Sequence, residues 1–148
     1  MFNKILVAVD GSSSSIYALD YAANLANQNN ADLKIISVIE PIPTLYTAGS
    51  GAAISEGMHE ITMENYKKMH KEQQKSLKEK YPQLKVTTLI EEGKPAEVIK
   101  DVSSDSDLIV IGHRGLGGVL NWLLGSVAKQ VVETCTVPVL VVKEKDYC

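Results

Sequence analysis

Long apolar runs, paired cysteines, a basic excess and the common catalytic signatures are all missing from this chain, and each absence closes off a class of function. No stretch approaches the roughly 20 apolar residues a helix needs to cross a bilayer. A strand pattern begins at Lys4, so no secretory leader is expected. No membrane association and a cytoplasmic location are therefore expected. Only two cysteines occur, Cys135 and Cys148, outside any CxxC spacing, so neither a disulfide framework nor a zinc site is indicated. Cys135, just before Thr136-Val137-Pro138, reads as packing. With 15 Lys and Arg against 18 Asp and Glu, the net charge of −3 lacks the basic footprint of a nucleic-acid binder. Val127 follows Gly125-Ser126, so the lysine of GxxxxGK[ST] is absent. The glycines at 115, 117 and 118 leave Leu120 where GxGxxG requires its last glycine, which argues against hydride transfer on a dinucleotide. GxSxG and HExxH do not occur either.

What is present alternates strand and helix patterns. At 148 residues the chain is expected to be a single domain, residues 1–148, able to bury a full core without disulfides. Lys4–Asp10 is a continuous apolar run of the kind a central parallel strand requires. Serines 12–15 supply helix caps, and Ile16, Leu19, Ala22, Ala23 and Ala26 recur at helical spacing up to the Asn27–Asn30 turn cluster. Leu33–Ile39 is a second buried strand. Pro41–Gly57 carries two prolines and no sustained period. It reads as a loop, either a flap over a ligand or a disordered surface excursion. Met58–Tyr81 predicts a helix with a thin stripe of Ile61, Tyr66, Met69, Gln73 and Leu77. Its lysines, with glutamates interspersed, read as a solvated face, and His59 and His70 as solvated helix residues. Lys85–Glu91 follows as a third strand, then a helix opened by Pro95, with Val98, Ile99 and Val102 facing the core. Asp107–Ile111 is a fourth strand, Val127–Thr134 the last helix and Val137–Val142 the last strand. That order predicts an α/β fold, a doubly wound five-stranded parallel sheet in the order 3-2-1-4-5, with its switch point between the first and fourth strands.

The most informative stretch starts at the end of the fourth strand. Gly112-His113-Arg114-Gly115 turns the chain, and Gly125-Ser126 then opens a helix whose first N–H groups favour negative charge. Two sets of backbone donors at one strand end make a phosphate cradle; the plainer reading is a strand-to-helix loop that needs glycine for its turns. His113 falls inside this segment, where it can donate to a phosphate or act as a base. Asp10 lies at the carboxyl end of the first strand, where it either caps the next helix or holds a divalent cation against phosphate.

Gly112-x2-Gly115-x9-Gly125-Ser126 resembles the nucleotide-binding signature of the universal stress protein family, in its ATP-binding branch. The resemblance extends to Ile5–Asp10, Asp32–Val38 and Val137–Val142 and covers nearly the whole chain. It implies a Rossmann-like, adenine nucleotide alpha hydrolase-like three-layer sandwich. It further implies an ATP site with Mg²⁺ or Mn²⁺, built from Ala8, Val9, Asp10, Val38, Ile111, Gly112, His113, Arg114, Gly115, Gly125, Ser126 and Val127. In that family the position of Val38 contacts adenine through its backbone, and the position of Asp10 lies in the nucleotide pocket with the metal. The expected function is a nucleotide-dependent regulatory role in stress response. The alternative is a slow ATPase or a phosphoryl or nucleotidyl transferase in the same pocket, with autophosphorylation as a side consequence. The apolar run Val137–Val142, with only Pro138 to protect it, is expected to pair two copies as a homodimer unless a helix or the C-terminal tail covers it.

Overall fold

The computed structural model describes residues 1–42, 51–116 and 123–144, with side chains omitted at 51–53. Its elements are β1 (Lys4–Ala8), α1 (Ser13–Asn29), β2 (Asp32–Ile39), α2 (Gly51–Lys80), β3 (Val86–Glu92), α3 (Pro95–Val102), β4 (Leu108–Gly112), α4 (Ser126–Thr134) and β5 (Val139–Val142). The five strands form one parallel sheet in the order β3-β2-β1-β4-β5. That is the doubly wound order read from the sequence.

Strand β1 sits in the middle because its residues tolerate no solvent on either face: Ile5, Leu6 and Val7 are fully buried. Its register pairs Ile5 with both Leu33 and Leu108. Period-two alternation then sorts the sheet into two layers. Ile5, Val7, Leu33, Ile35 and Val110 pack against α1 and the second half of α2. Leu6, Ile36, Ile109 and Ile111 pack against α3 and α4. Helix α1 lies close to the sheet on a strip of Ala18, Ala22 and Ala26. The Ser12 side chain caps it by accepting from the Ser15 N–H, and Asn30 ends it in the left-handed conformation.

Three expectations are corrected. Residues 51–57, expected as loop, belong to α2: no proline lies between positions 44 and 81, and Ala52 and Ala53 favour helix, so the helix runs through Gly57. The flap expected at Pro41–Gly57 is thus partly helix, while residues 43–50 fall outside the described residues. Ile61, expected on the core stripe, is exposed, because Met69 and Leu77 in the later turns of α2 meet the core. Finally, β5 begins at Val139, one residue past Pro138, which has no N–H for a ladder. The lysines of α2 lie exposed, as expected.

Candidate functional site

A cavity of about 280 Å³ opens at the carboxyl ends of β1, β2 and β4, at the switch point of the sheet. Ala8, Val9 and Asp10 contribute from β1 and its continuation, Val38 from β2, and Ile111, Gly112, Arg114 and Gly115 from β4 and the segment after it. Gly125, Ser126 and Val127 complete the wall at the start of α4. Eleven of the twelve expected site residues thus share one cavity. The twelfth, His113, is absent from its wall: the ring is buried, with Nδ1 3.3 Å from Ser14 Oγ on α1. Burial, then the charges of Arg114 and Lys143, hold that imidazole below its usual pKa. The backbone of His113 serves the segment instead, since its carbonyl accepts from the Gly125 N–H at 2.7 Å.

The glycines have a different reason from the one sequence spacing suggested. Among the described glycines only Gly11 and Gly93 have positive φ, so Gly112, Gly115 and Gly125 are not there for left-handed turns. They are there for close approach. A Cβ on Gly112 would stand 2.7 Å from the Ser14 carbonyl oxygen, and one on Gly125 would stand 3.1 Å from the His113 carbonyl oxygen. One on Gly115 would meet the Asp10 carboxylate at 2.9 Å. At Gly112 and Gly125 the chain passes close to other backbone, and at Gly115 it passes close to the Asp10 side chain.

Asp10 has more than a capping role. Its Oδ1 accepts from the Ser12 N–H at 2.9 Å, while Oδ2 accepts from the Leu116 N–H at 3.1 Å. Ser12, not Asp10, caps α1. Helix α4 begins with Gly125 at its N-cap and no side-chain cap, which leaves its first amides available to a ligand. Among the described residues no group of three or more His, Cys, Asp and Glu could hold a metal ion by itself. A cation here would need phosphate oxygens beside Asp10, which is how Mg²⁺ is commonly held.

Sequence reasoning missed part of the wall. Ser15, Ile36, Pro95, Ile99, Leu116 and Ala128 also line it, as do Glu40 and Tyr66. The carboxyl-end argument that selected Asp10 applies equally to Glu40, one residue past β2. Tyr66 carried no such signal, because its arrival depends on the path of α2 across the sheet. Burial raises its pKa, and the charges of Asp10 and Glu40 raise it further, so the phenol keeps its proton at neutral pH. His70, expected in solvent, is buried at 3 % exposure with Nε2 2.7 Å from Ser37 Oγ. Helical spacing placed it among lysines and could not register a polar partner on β2. His59 is half-exposed near Glu92, in keeping with its expected surface role. Cys135 is partly buried against the α3/α4 layer, which fits packing.

Comparison with known proteins is consistent with this architecture. Residues 1–143 match the model of the universal stress protein family. Universal stress protein YxiE of Bacillus subtilis is 33% identical over 151 residues, spanning 97% of this chain and all of that protein. Among solved structures, universal stress protein UspA from Lactobacillus plantarum superposes with a TM-score of 0.86 at 24% identity, covering 95% of this chain and 97% of that one. A universal stress protein solved in complex with cAMP has a TM-score of 0.68 at 25% identity, covering 96% and 97%. Among the described residues no helix is long and apolar enough to cross a membrane. The chain belongs to the universal stress protein family.

Proposed function

We propose that this protein binds an adenine nucleotide, ATP with Mg²⁺ or Mn²⁺, and acts as a nucleotide-dependent regulatory protein in stress response. The observation that carries the reading is the close-packed wall at Gly112, Gly115 and Gly125, which together with a helix start bare of a side-chain cap lines one cavity. Arg114 adds positive charge to that wall. The volume lies near the lower end of the usual range for small-molecule pockets. Phosphates fit the glycine side with the cation beside Asp10, and adenine fits the side of Val38. The relative solved with cAMP lends support from within the family.

A binding role is favoured over turnover by the state of the titratable groups. Both Asp10 oxygens are engaged by backbone amides in holding the loops, and the Tyr66 phenol is held protonated and is no ready base. The two cysteines lie far apart in sequence, which suits a reducing, cytoplasmic setting. The decisive experiment is a thermal-shift titration of nucleotide-free protein. At about 100 Kd, MgATP adds roughly 2.7 kcal/mol of stability. That corresponds to about 5–10 °C in Tm for a domain of this size. A flat response at millimolar MgATP overturns the proposal. A phosphate-release assay, with a Gly125/Ser126 double variant as contamination control, separates binding from hydrolysis.

A further inference from the structure

Behind the cavity, the side of the sheet that α1 and α2 cover holds a buried polar chain. Ser37 on β2 and His70 on α2 are both buried there. The Ser37 hydroxyl donates to the Val9 carbonyl at 2.5 Å, and His70 Nε2 lies 2.7 Å from the same Ser37 oxygen. A hydroxyl has one proton and a carbonyl can only accept, so Nε2 carries the hydrogen it gives to Ser37. His70 is therefore held as the Nε2–H tautomer.

Val9 is the residue this chain secures. Strand β1 ends at Ala8, yet the Val9 N–H still donates to the Ile36 carbonyl at 2.8 Å, while its own carbonyl goes to Ser37. Both peptide groups flanking Val9 are tied to β2, immediately before Asp10. Tyr66, one turn ahead of His70 on α2, lines the cavity, and the two rings lie 6.5 Å apart at 18°. Helix α2 thus reaches the cavity twice, directly through Tyr66 and from beneath through His70, Ser37 and Val9.

We infer that His70 and Ser37 are positioning residues for the nucleotide site, fixing the Val9–Asp10 backbone and locking it to the seating of α2. The inference rests on the nucleotide reading above. If α2 shifted, Ser37 would lose its donor, and Val9 would hang from a hydroxyl no longer held in place. In a buried setting such losses are costly, which makes the link close to all-or-none. A ligand that orders Asp10 therefore favours the seated α2, and the seated α2 favours the ligand to the same degree.

The test compares Ser37→Ala, His70→Leu, His70→Gln and a control, Leu77→Ala, which opens a hole under the same helix about two turns beyond His70. Ser37→Ala and His70→Leu should each weaken MgATP binding by about tenfold, the size of one lost hydrogen bond. The double variant should be no weaker than the poorer single. His70→Gln, which keeps an N–H donor, should bind within about twofold of wild type, again as expected for a retained bond. Leu77→Ala should lower Tm while leaving affinity intact. Wild-type affinity in Ser37→Ala, or an equal loss in Leu77→Ala, overturns the inference. Amide shifts of Asp10 and Leu116 in nucleotide-free protein judge it separately. They should move in Ser37→Ala and His70→Leu and keep their wild-type positions in His70→Gln and Leu77→Ala. If wild type fails to bind MgATP, the nucleotide reading falls while these shifts still decide the positioning role; unmoved shifts in Ser37→Ala overturn it.

Discussion

The Asp10 carboxylate accepts a hydrogen bond from the Leu116 N–H at 3.1 Å, joining two loops 106 residues apart. With its other oxygen on the Ser12 N–H, one side chain secures both the turn after β1 and the far end of the glycine segment. On the nucleotide reading proposed above, Asp10 has two contributions to make, one through loop geometry and one through a cation.

Asp10→Ala should therefore weaken ATP binding in EDTA and weaken it further in Mg²⁺. Calorimetric titration under both conditions separates the contributions. An equal loss with and without metal would confine Asp10 to holding the loops together.

The glycines divide into two classes by what their missing Cβ would meet. Gly112→Ala drives a methyl into the Ser14 backbone, which cannot yield cheaply, and should cost about 1–3 kcal/mol of folding stability. Gly115→Ala meets only the Asp10 side chain, which can rotate away, so it should spare stability and weaken nucleotide binding. Chemical denaturation beside ligand titration tests the contrast. A Gly115→Ala variant as unstable as Gly112→Ala would refute it.

Acid should destabilise the fold before its carboxylates titrate. His70 and His113 are both held below the usual histidine pKa by burial, so the unfolded chain binds more protons near pH 6.5 and below. Stability is full above that pH and falls as the pH drops from about 6.5 towards 5. Asp105 and Asp107, whose values lie below the ordinary carboxylate range, change charge only at lower pH. His70→Gln should flatten the slope in part, leaving the share due to His113. Urea midpoints between pH 7.5 and 5 measure it, and an unchanged slope in His70→Gln would exclude His70 as a source.

A homodimer through β5 is the expected assembly. Among the described residues β5 has β4 as its only partner strand, and Val139, Leu140 and Val141 are partly exposed in the monomer. Residues 145–148, the rest of the tail that would compete to cover this edge, lie outside the described residues. Light scattering should show a dimer, and Val141→Lys should shift it toward monomer. A wild type that stays monomeric at tens of micromolar would rule the arrangement out.

The sheet was legible from sequence because buried parallel strands leave an unmistakable mark. Lys4–Ala8 and Leu108–Gly112 are short apolar runs with turn residues at both ends, and lengths alone fix the crossovers. The strand-end argument pointed to the segment after β4 and to Asp10, while Val38 entered only through the family resemblance. What escaped was whatever depends on long-range approach. The need for Gly112 arises from Ser14, a neighbour in space rather than in sequence. His70 looked solvated because its helix is rich in lysine, while the partner that draws it inward sits 33 residues earlier. Tyr66 was taken for part of a core stripe, and only the course of α2 brings it to the cavity.

The pairing of β1 with β4 also constrains the order of events on the ribosome. β1 is made first, but Ile5 must wait for Leu108, about a hundred residues later, before its second neighbour exists. At about 5–20 residues per second that interval is about 5–20 s, during which an apolar strand has a partner on one side only. The cavity cannot close until α4 has emerged as well. On the nucleotide reading proposed above, a nascent chain therefore offers no complete site, and any stabilisation by ligand waits until the residues of α4 have been synthesised.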